Sequence, residues 1–256
     1  KLDVTSQCTL QSSNPDLVKV NSQQRATGLA NGAAVLNAEL DGKTAESTIL
    51  VERVEHTRPF HFSRDIAGIF TRYGCNVASC HGGVKGRGGF KLSLNATRPE
   101  EDYQWVVRGG MYQVLTDEVG KPVISRIDAD KPRDSLLLLK PTDSEPHEGG
   151  ERFAVDSDAY VSIRDWIQAG AQYGEPQHDS TKRIQRLSVF PAIVAMVPGQ
   201  THGLLVTAHL GEGQVEDYTD QVRYESADTS VAEVSEDGVV MAVGAGETTI
   251  VARAAG

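Results

Sequence analysis

The sequence predicts a multidomain chain in which a small, mainly α segment lies between two β-sandwich segments. Three observations predict it: the two ends repeat one another, both carry short β-favouring runs broken by Gly, Pro and Asp, and the middle switches to a helical spacing of apolar residues. At 256 residues, 39% hydrophobic and 23% charged, the chain can bury several small cores and stay soluble. Twenty-five glycines against 6% aromatics suit strands and turns better than long packed helices. A formal charge of −10 argues against nucleic acid or an anionic membrane as partner. No apolar run reaches the roughly 18 residues of a membrane span, and the opening KLDVTSQ lacks the basic and apolar regions of a signal peptide.

The repeat justifies the two ends. A gapless shift of 214 positions pairs Asp3 with Asp217, Thr5 with Thr219, Gln7 with Gln221 and Ser12 with Ser226. It also pairs Val20 with Val234, Gly32 with Gly246, Ala38 with Ala252 and Gly42 with Gly256, and the apolar alternation between these identities agrees. Residues 1–57 and 183–256 are thus two copies of one module. The second copy has an early part, residues 187–209, that the first lacks; the first has a late part, residues 43–54, that the second lacks. LSVFPAIVAMVPGQ, HGLLVTAHL, VRYESAD and SVAEVSEDGVVMAVGAGETTIVARA read as strand runs, with Glu236-Asp237-Gly238 as a tight turn. Regular short strands with turns between them indicate a sandwich.

SADTSVAEVSEDGVVMAVGAGETTIVA resembles the bacterial immunoglobulin-like group 2 domain, and SSNPDLVKV with GLANGAAVLNA resembles a second one. The first copy departs from the Gly-x-Gly-x-x-x-Ile core by having Ala30 in the place of the first Gly. The resemblance implies exported spacer or adhesion modules: residues 1–57 lacking the first strands and residues 183–256 lacking the last. The sequence is then expected to be cut from a longer array or to exchange strands, with neighbouring domains in a longer polypeptide.

Residues 58–180 have a different rhythm. Ser63-Arg64-Asp65 opens a helix with Ile66, Ile69, Phe70 and Tyr73 at 3–4 spacing, ended by Gly74. Pro99 near the first position starts a second, with Tyr103, Val106 and Val107 on one stripe and Gly109-Gly110 after it. Asp134 can cap a short helix over 135–140, halted by Pro141. Asp156 or Ser157 can cap a longer one carrying Tyr160, Ile163, Trp166 and Ile167, closed by Gly170.

Chemistry concentrates in this middle segment. Cys75 and Cys80 stand five apart and His81 follows at once. A disulfide between Cys75 and Cys80 is one reading, and zinc a second, although zinc would need two further distant ligands. Covalent haem is the third, because thiols bind the haem edge and an adjacent His binds the iron. Here four residues separate the thiols, giving C-x4-C-H instead of C-x-x-C-H, and the extra residues can bulge outward. The spacing supports haem: a helix over 66–73 precedes the cysteines, a ligand candidate lies at His147, and a helix over 160–167 follows. The loop Gly82-Gly83-Val84-Lys85-Gly86-Arg87-Gly88-Gly89 is either a plain turn or a backbone that approaches haem, with Lys85 or Arg87 on a propionate. Cys8 is expected to be buried in the first sandwich, Met196 and Met241 to be core residues of the second, and His61 to act at most beside the haem helix.

IFTRYGCNVASCHGG, DSLLLLKP, PHEGG and YVSIRDWIQAGA together resemble the planctomycete-type cytochrome c domain over about residues 63–173. The resemblance implies a cytochrome c-like fold, one covalent haem c on Cys75 and Cys80, His81 as proximal ligand and His147 as distal ligand, with Met111 as the alternative. Bis-histidine iron has no open position, so the expected role is extracytoplasmic electron transfer with an unidentified redox partner protein and no enzyme activity. The alternatives are a haem enzyme or sensor with a labile sixth ligand, and a haem-free structural or adhesive module with a disulfide.

Overall fold

A computed structural model describes residues 4–21, 24–52, 54, 59–109, 125–174 and 184–255. The chain divides into two compact units, residues 1–59 and 60–256.

The first unit is built of five strands: β1 (Thr9–Ser12), β2 (Val18–Val20), β3 (Ala26–Gly28), β4 (Gly32–Leu40) and β5 (Lys43–Val51). Asp41 and Gly42 both take positive φ, which matches a two-residue hairpin turn to the strand twist, so β4 and β5 pair in one register from Leu40 with Lys43 to Gly32 with Val51. β1 joins the other edge of β4, and β2 pairs with β3. Val18 from β2 meets Ala34 and Leu36 from β4, and Ile49 and Val51 of β5 pack on the same core. Cys8 is half-buried rather than buried: it ends a short turn beside β1, and its carbonyl accepts from the Gln24 side-chain Nε2 at 3.0 Å.

In the second unit the helices come first. A π-helical turn, Phe62–Ile66, runs into α1 (Ala67–Arg72); α2 is Pro99–Arg108, α3 Leu136–Leu139 and α4 Asp158–Gln168. Apolar spacing sets their inner faces. Phe62, Ile66, Phe70, Val106, Leu138, Ile163, Trp166 and Ile167 form one buried core. The few aromatics are gathered here: Phe62 has Phe70, Tyr103, Trp166 and Tyr173 within ring contact. The segment therefore carries its own aromatic core. Gly109 caps α2 in the left-handed conformation, and Ser157 caps α4 by accepting from the Tyr160 amide at 3.3 Å. At α3 the cap position falls to Ser135, not Asp134, which lies in a preceding 3-10 turn; the Ser135 hydroxyl is occupied by the Asp128 amide.

The strands follow: β6 (Arg186–Phe190), β7 (Thr201–Gly203), β8 (Leu205–His209), β9 (Val215–Asp217), β10 (Arg223–Ser226), β11 (Ala232–Val234), β12 (Val239–Ala242) and β13 (Ile250–Arg253). They form three antiparallel sheets, β6-β8-β9, β11-β12-β7 and β10-β13. The strand run expected from Leu187 stops at Phe190, before Pro191. Met241 faces solvent on β12 and Met196 is half-buried in the loop after β6, so neither is a core residue; the alternation along β12 buries Val240 and Ala242 instead.

The 214-residue repeat holds at the level of register. Thr9 pairs with Glu39 and Ser12 with Leu36, as Arg223 pairs with Arg253 and Ser226 with Ile250. Val18 pairs with Gly28 and Val20 with Ala26, as Ala232 pairs with Ala242 and Val234 with Val240. Gly32 and Gly246 take φ of +145° and +151°, and a Cβ would strike Leu17 in one and its repeat partner Val231 in the other. What β5 does for β4 has no counterpart on β13 among the described residues.

Helices and C-terminal strands share a unit because the end of α1 is tied to the strand turns. Arg72 donates through Nη1 to the Asp220 carbonyl and lies 3.5 Å from the Asp237 carboxylate. Arg223 lies against Gly74, and Ala255 packs on the helical core. Among the described residues, no helix is long and apolar enough to cross a membrane.

Candidate functional site

Four sequence-selected residues lie in two loops of the helical segment. The first loop leaves α1 at Tyr73 and Gly74, where φ of +67° turns the chain, and carries Cys75, Cys80 and His81. The residues between the thiols do not bulge outward as a whole. Asn76 turns in, fully buried, and its amide donates to the Thr71 hydroxyl at 2.9 Å, which pins the loop to α1. Ala78 and Ser79 remain exposed. The His81 amide donates to the Cys75 carbonyl at 3.0 Å, and the Cys80 and Gly82 amides both donate to the Val77 carbonyl. Gly82 and Gly83 complete the closure because a Cβ would lie 2.1 Å from the Asn76 oxygen in one case and 2.7 Å from the Ala78 oxygen in the other.

Both thiols are free. Burial pushes the Cys75 thiol up to about 12, the nearby Arg152 charge only partly opposing it, so at neutral pH it stays protonated.

The glycine-rich stretch has a definite task. Gly86, at φ +67°, comes so close to the Phe90 carbonyl that a Cβ could not fit, and a short turn over Arg87–Gly89 folds the chain back. Two carbonyls, of Arg87 and Phe90, thereby reach His81 Nδ1 at 3.0 Å each. A carbonyl only accepts, so Nδ1 carries the proton and the Nε2 lone pair is left for another acceptor of electrons. Burial also lowers the His81 pKa, which keeps the ring neutral. Lys91 fastens the same loop through the Gly82 and Gly83 carbonyls at 3.1 and 2.7 Å.

His147 sits in the second loop, between α3 and α4. Buried Leu137 and Leu138 anchor α3; Asp143 accepts from the His147 amide at 3.3 Å, and Lys140 reaches the Pro146 carbonyl at 3.0 Å. Gly150, at φ +67°, brings its carbonyl to 3.0 Å from His147 Nδ1. This second imidazole thus repeats the arrangement of the first: Nδ1 on a backbone carbonyl, Nε2 with no hydrogen-bond partner among the described residues.

The two rings meet although 66 positions separate them: their centroids are 6.2 Å apart and their planes 12° from parallel. Two imidazoles held trans through metal–nitrogen bonds of about 2 Å have centres roughly 6 Å apart. The donor set, two thiols on one loop and two carbonyl-oriented imidazoles, is one that could hold a haem, the thiols at its edge and the imidazoles at its iron. Among the described residues no three His, Cys, Asp or Glu side chains gather as they would for a metal held by protein alone.

Met111, the alternative ligand, lies outside the described residues, as do His56 and His178. His61 is buried away from the loops: it contacts the Ser63 hydroxyl at 2.9 Å and the Tyr173 ring. His202 and His209 belong to β7 and β8. Lys85 is exposed, and Arg87 pairs with Glu148. Two cations near the paired rings are ones that sequence reasoning passed over. Arg126 lies over Phe90, itself 4.8 Å from His81, and Arg152 approaches both Cys75 and Gly149. No local pattern marks either arginine, since each reaches the site only through the fold.

Residues 184–254 match the family described as bacterial Ig-like domain (group 2). No cytochrome c family matches the helical segment. No curated protein matches the chain.

Proposed function

We propose that residues 58–180 form a cytochrome c-like module that binds one haem c through Cys75 and Cys80, with His81 proximal and His147 distal, and that the module transfers electrons. The observation that carries the reading is the near-parallel approach of His81 and His147, each with Nδ1 on a backbone carbonyl. Haem supplies one-electron exchange at iron. The chain supplies the rest. Carbonyls of Arg87, Phe90 and Gly150 fix both tautomers and make both imidazoles stronger donors, which favours the oxidised iron. Two nitrogen ligands leave no position for substrate, so the role is that of a carrier and not an enzyme. Arg126, over Phe90, and Arg152, near Cys75, are cations that could pair with the haem carboxylates.

The flanking strands act as spacers. The match over residues 184–254 covers the second copy, and the shared register supports the same reading for residues 1–57. Bacterial Ig-like modules and covalent haem are both compatible with an extracytoplasmic location.

Acid–acetone extraction followed by an alkaline pyridine spectrum tests the reading. Haem that stays with the polypeptide supports thioether bonds to Cys75 and Cys80. A colourless chain with an oxidised Cys75 and Cys80 pair would instead make the segment structural, and rapid cyanide or carbon monoxide binding would make the sixth position labile, as in a sensor or enzyme.

A further inference from the structure

A charged pair joins the loops that carry the two imidazoles. Arg87 donates through Nε to Glu148 at 3.0 Å, and its Nη2 lies 2.8 Å from the same oxygen. Each partner is adjacent to a ligand's support. The Arg87 carbonyl is one of the two that orient His81, and Glu148 directly follows His147. Among the described residues, the other hydrogen bonds and ion pairs of the second loop are internal to residues 138–153: Asp143 to the His147 amide, Lys140 to Pro146 and Glu145, Gly150 to His147, Arg152 to Pro141. They shape the turn, whereas the Arg87 and Glu148 pair connects it to the first loop.

We propose that Arg87 and Glu148 are positioning residues, a clasp that holds His147 on the iron and makes its release sensitive to ionic strength; this rests on the haem reading above. For His147 to leave, its turn must swing away from the first loop, and the ion pair opposes that swing. Half or more of each side chain is exposed, so the pair is screened by salt and worth little on an absolute scale. Breaking it should speed release of His147 by about two- to fivefold.

Carbon monoxide binding to the reduced protein reads this rate, because at high carbon monoxide the binding rate is limited by departure of the distal ligand. The variants R87Q, E148Q, R87Q/E148Q and R87E/E148R keep the Arg87 backbone carbonyl that His81 uses. Each single change should raise the limiting rate by about two- to fivefold, the double change should add little more, and the charge exchange should return it toward wild type. Salt at about 0.5 M should speed the wild type and leave R87Q/E148Q unchanged. Limiting rates and salt responses equal to wild type in all four, on a protein whose spectrum before mixing is six-coordinate bis-imidazole, overturn the clasp and leave the haem reading intact. A protein without that spectrum overturns both. A urea double-mutant cycle on the haem-free chain separately reads whether the two charges couple, and an absent coupling at low salt counts against the clasp.

Discussion

Two glycine-to-alanine changes, four positions before and ten positions after the end of α1 at Arg72, should shift stability in opposite directions: Gly68→Ala and Gly82→Ala. Gly68 lies inside α1 with open space around a built Cβ and an ordinary φ, so alanine there removes only backbone entropy from the unfolded chain. The gain should be about 0.5–1 kcal/mol. At Gly82 a Cβ would lie 2.1 Å from the Asn76 oxygen, 2.7 Å from the carbon of that carbonyl and 2.8 Å from the Val77 oxygen. All three are backbone atoms, and ordinary contact needs more than an ångström of extra room. That movement would pull on Cys75, whose carbonyl holds the His81 amide, and on Val77, whose carbonyl holds the Cys80 and Gly82 amides. The cost should reach about 3 kcal/mol, the upper end of overpacking. Urea unfolding followed by tryptophan fluorescence reads both changes, because Trp105 and Trp166 lie in α2 and α4 and report the helical segment alone. Haem content per chain should fall with Gly82→Ala and hold with Gly68→Ala. Equal stabilities for the two variants would refute the packing argument for the cysteine loop.

Gly246→Ala should destabilise the C-terminal strands by about 1–3 kcal/mol, since φ is +151° and a Cβ would lie 2.8 Å from Val231; Gly32→Ala should do the same to the first unit, and thermal melts with no shift in either would contradict the shared register. Burial raises Asp102 to about 6 despite its bonds from the Ser93 amide and hydroxyl, so the folded state holds the proton more tightly than the unfolded chain at about 3.9. Its stabilising effect is complete below about pH 4 and is lost as pH rises through 6, a difference of about 3 kcal/mol at most. Asp102→Asn should flatten that part of the urea stability profile, and a wild-type profile already flat from about pH 4 to 6.5 would refute it. Replacing His147 by Met should raise the reduction potential on the order of 0.1 V, because thioether favours reduced iron; redox titration showing no rise would remove His147 from the ligand set.

The repeat was legible in the sequence as a shift of 214 positions because both copies keep a glycine where only a side-chain-free backbone can pass Leu17 or Val231; the strand pairings it carries are read from the structure. Helix ends were legible for a similar reason: Gly74 and Gly109 adopt the positive φ that a stop demands. The α3 cap was misplaced by one residue because Asp134 and Ser135 are both good caps and a 3-10 turn consumed the first. Of the site, the local part was readable. Cys75, Cys80 and His81 lie within seven residues of one another, and the Pro and Gly residues around His147 announce a turn. The inward set of Asn76 depends on Thr71 being one turn back on α1, and Met241 fails as a core residue because the phase of β12 is set by its partners β11 and β7. Arg126, Arg152 and the link from Arg87 to Glu148 join residues far apart in the chain, and no periodicity encodes such contacts.

Low-temperature electron paramagnetic resonance of the oxidised protein tests the central claim most directly. Two imidazoles on one iron with ring planes 12° apart should give a low-spin rhombic signal with three resolved g values, and His147→Ala should convert it to high spin. A high-spin signal from the wild type, or a low-spin signal that His147→Ala leaves unchanged, would contradict the pairing of His81 with His147 across a haem iron.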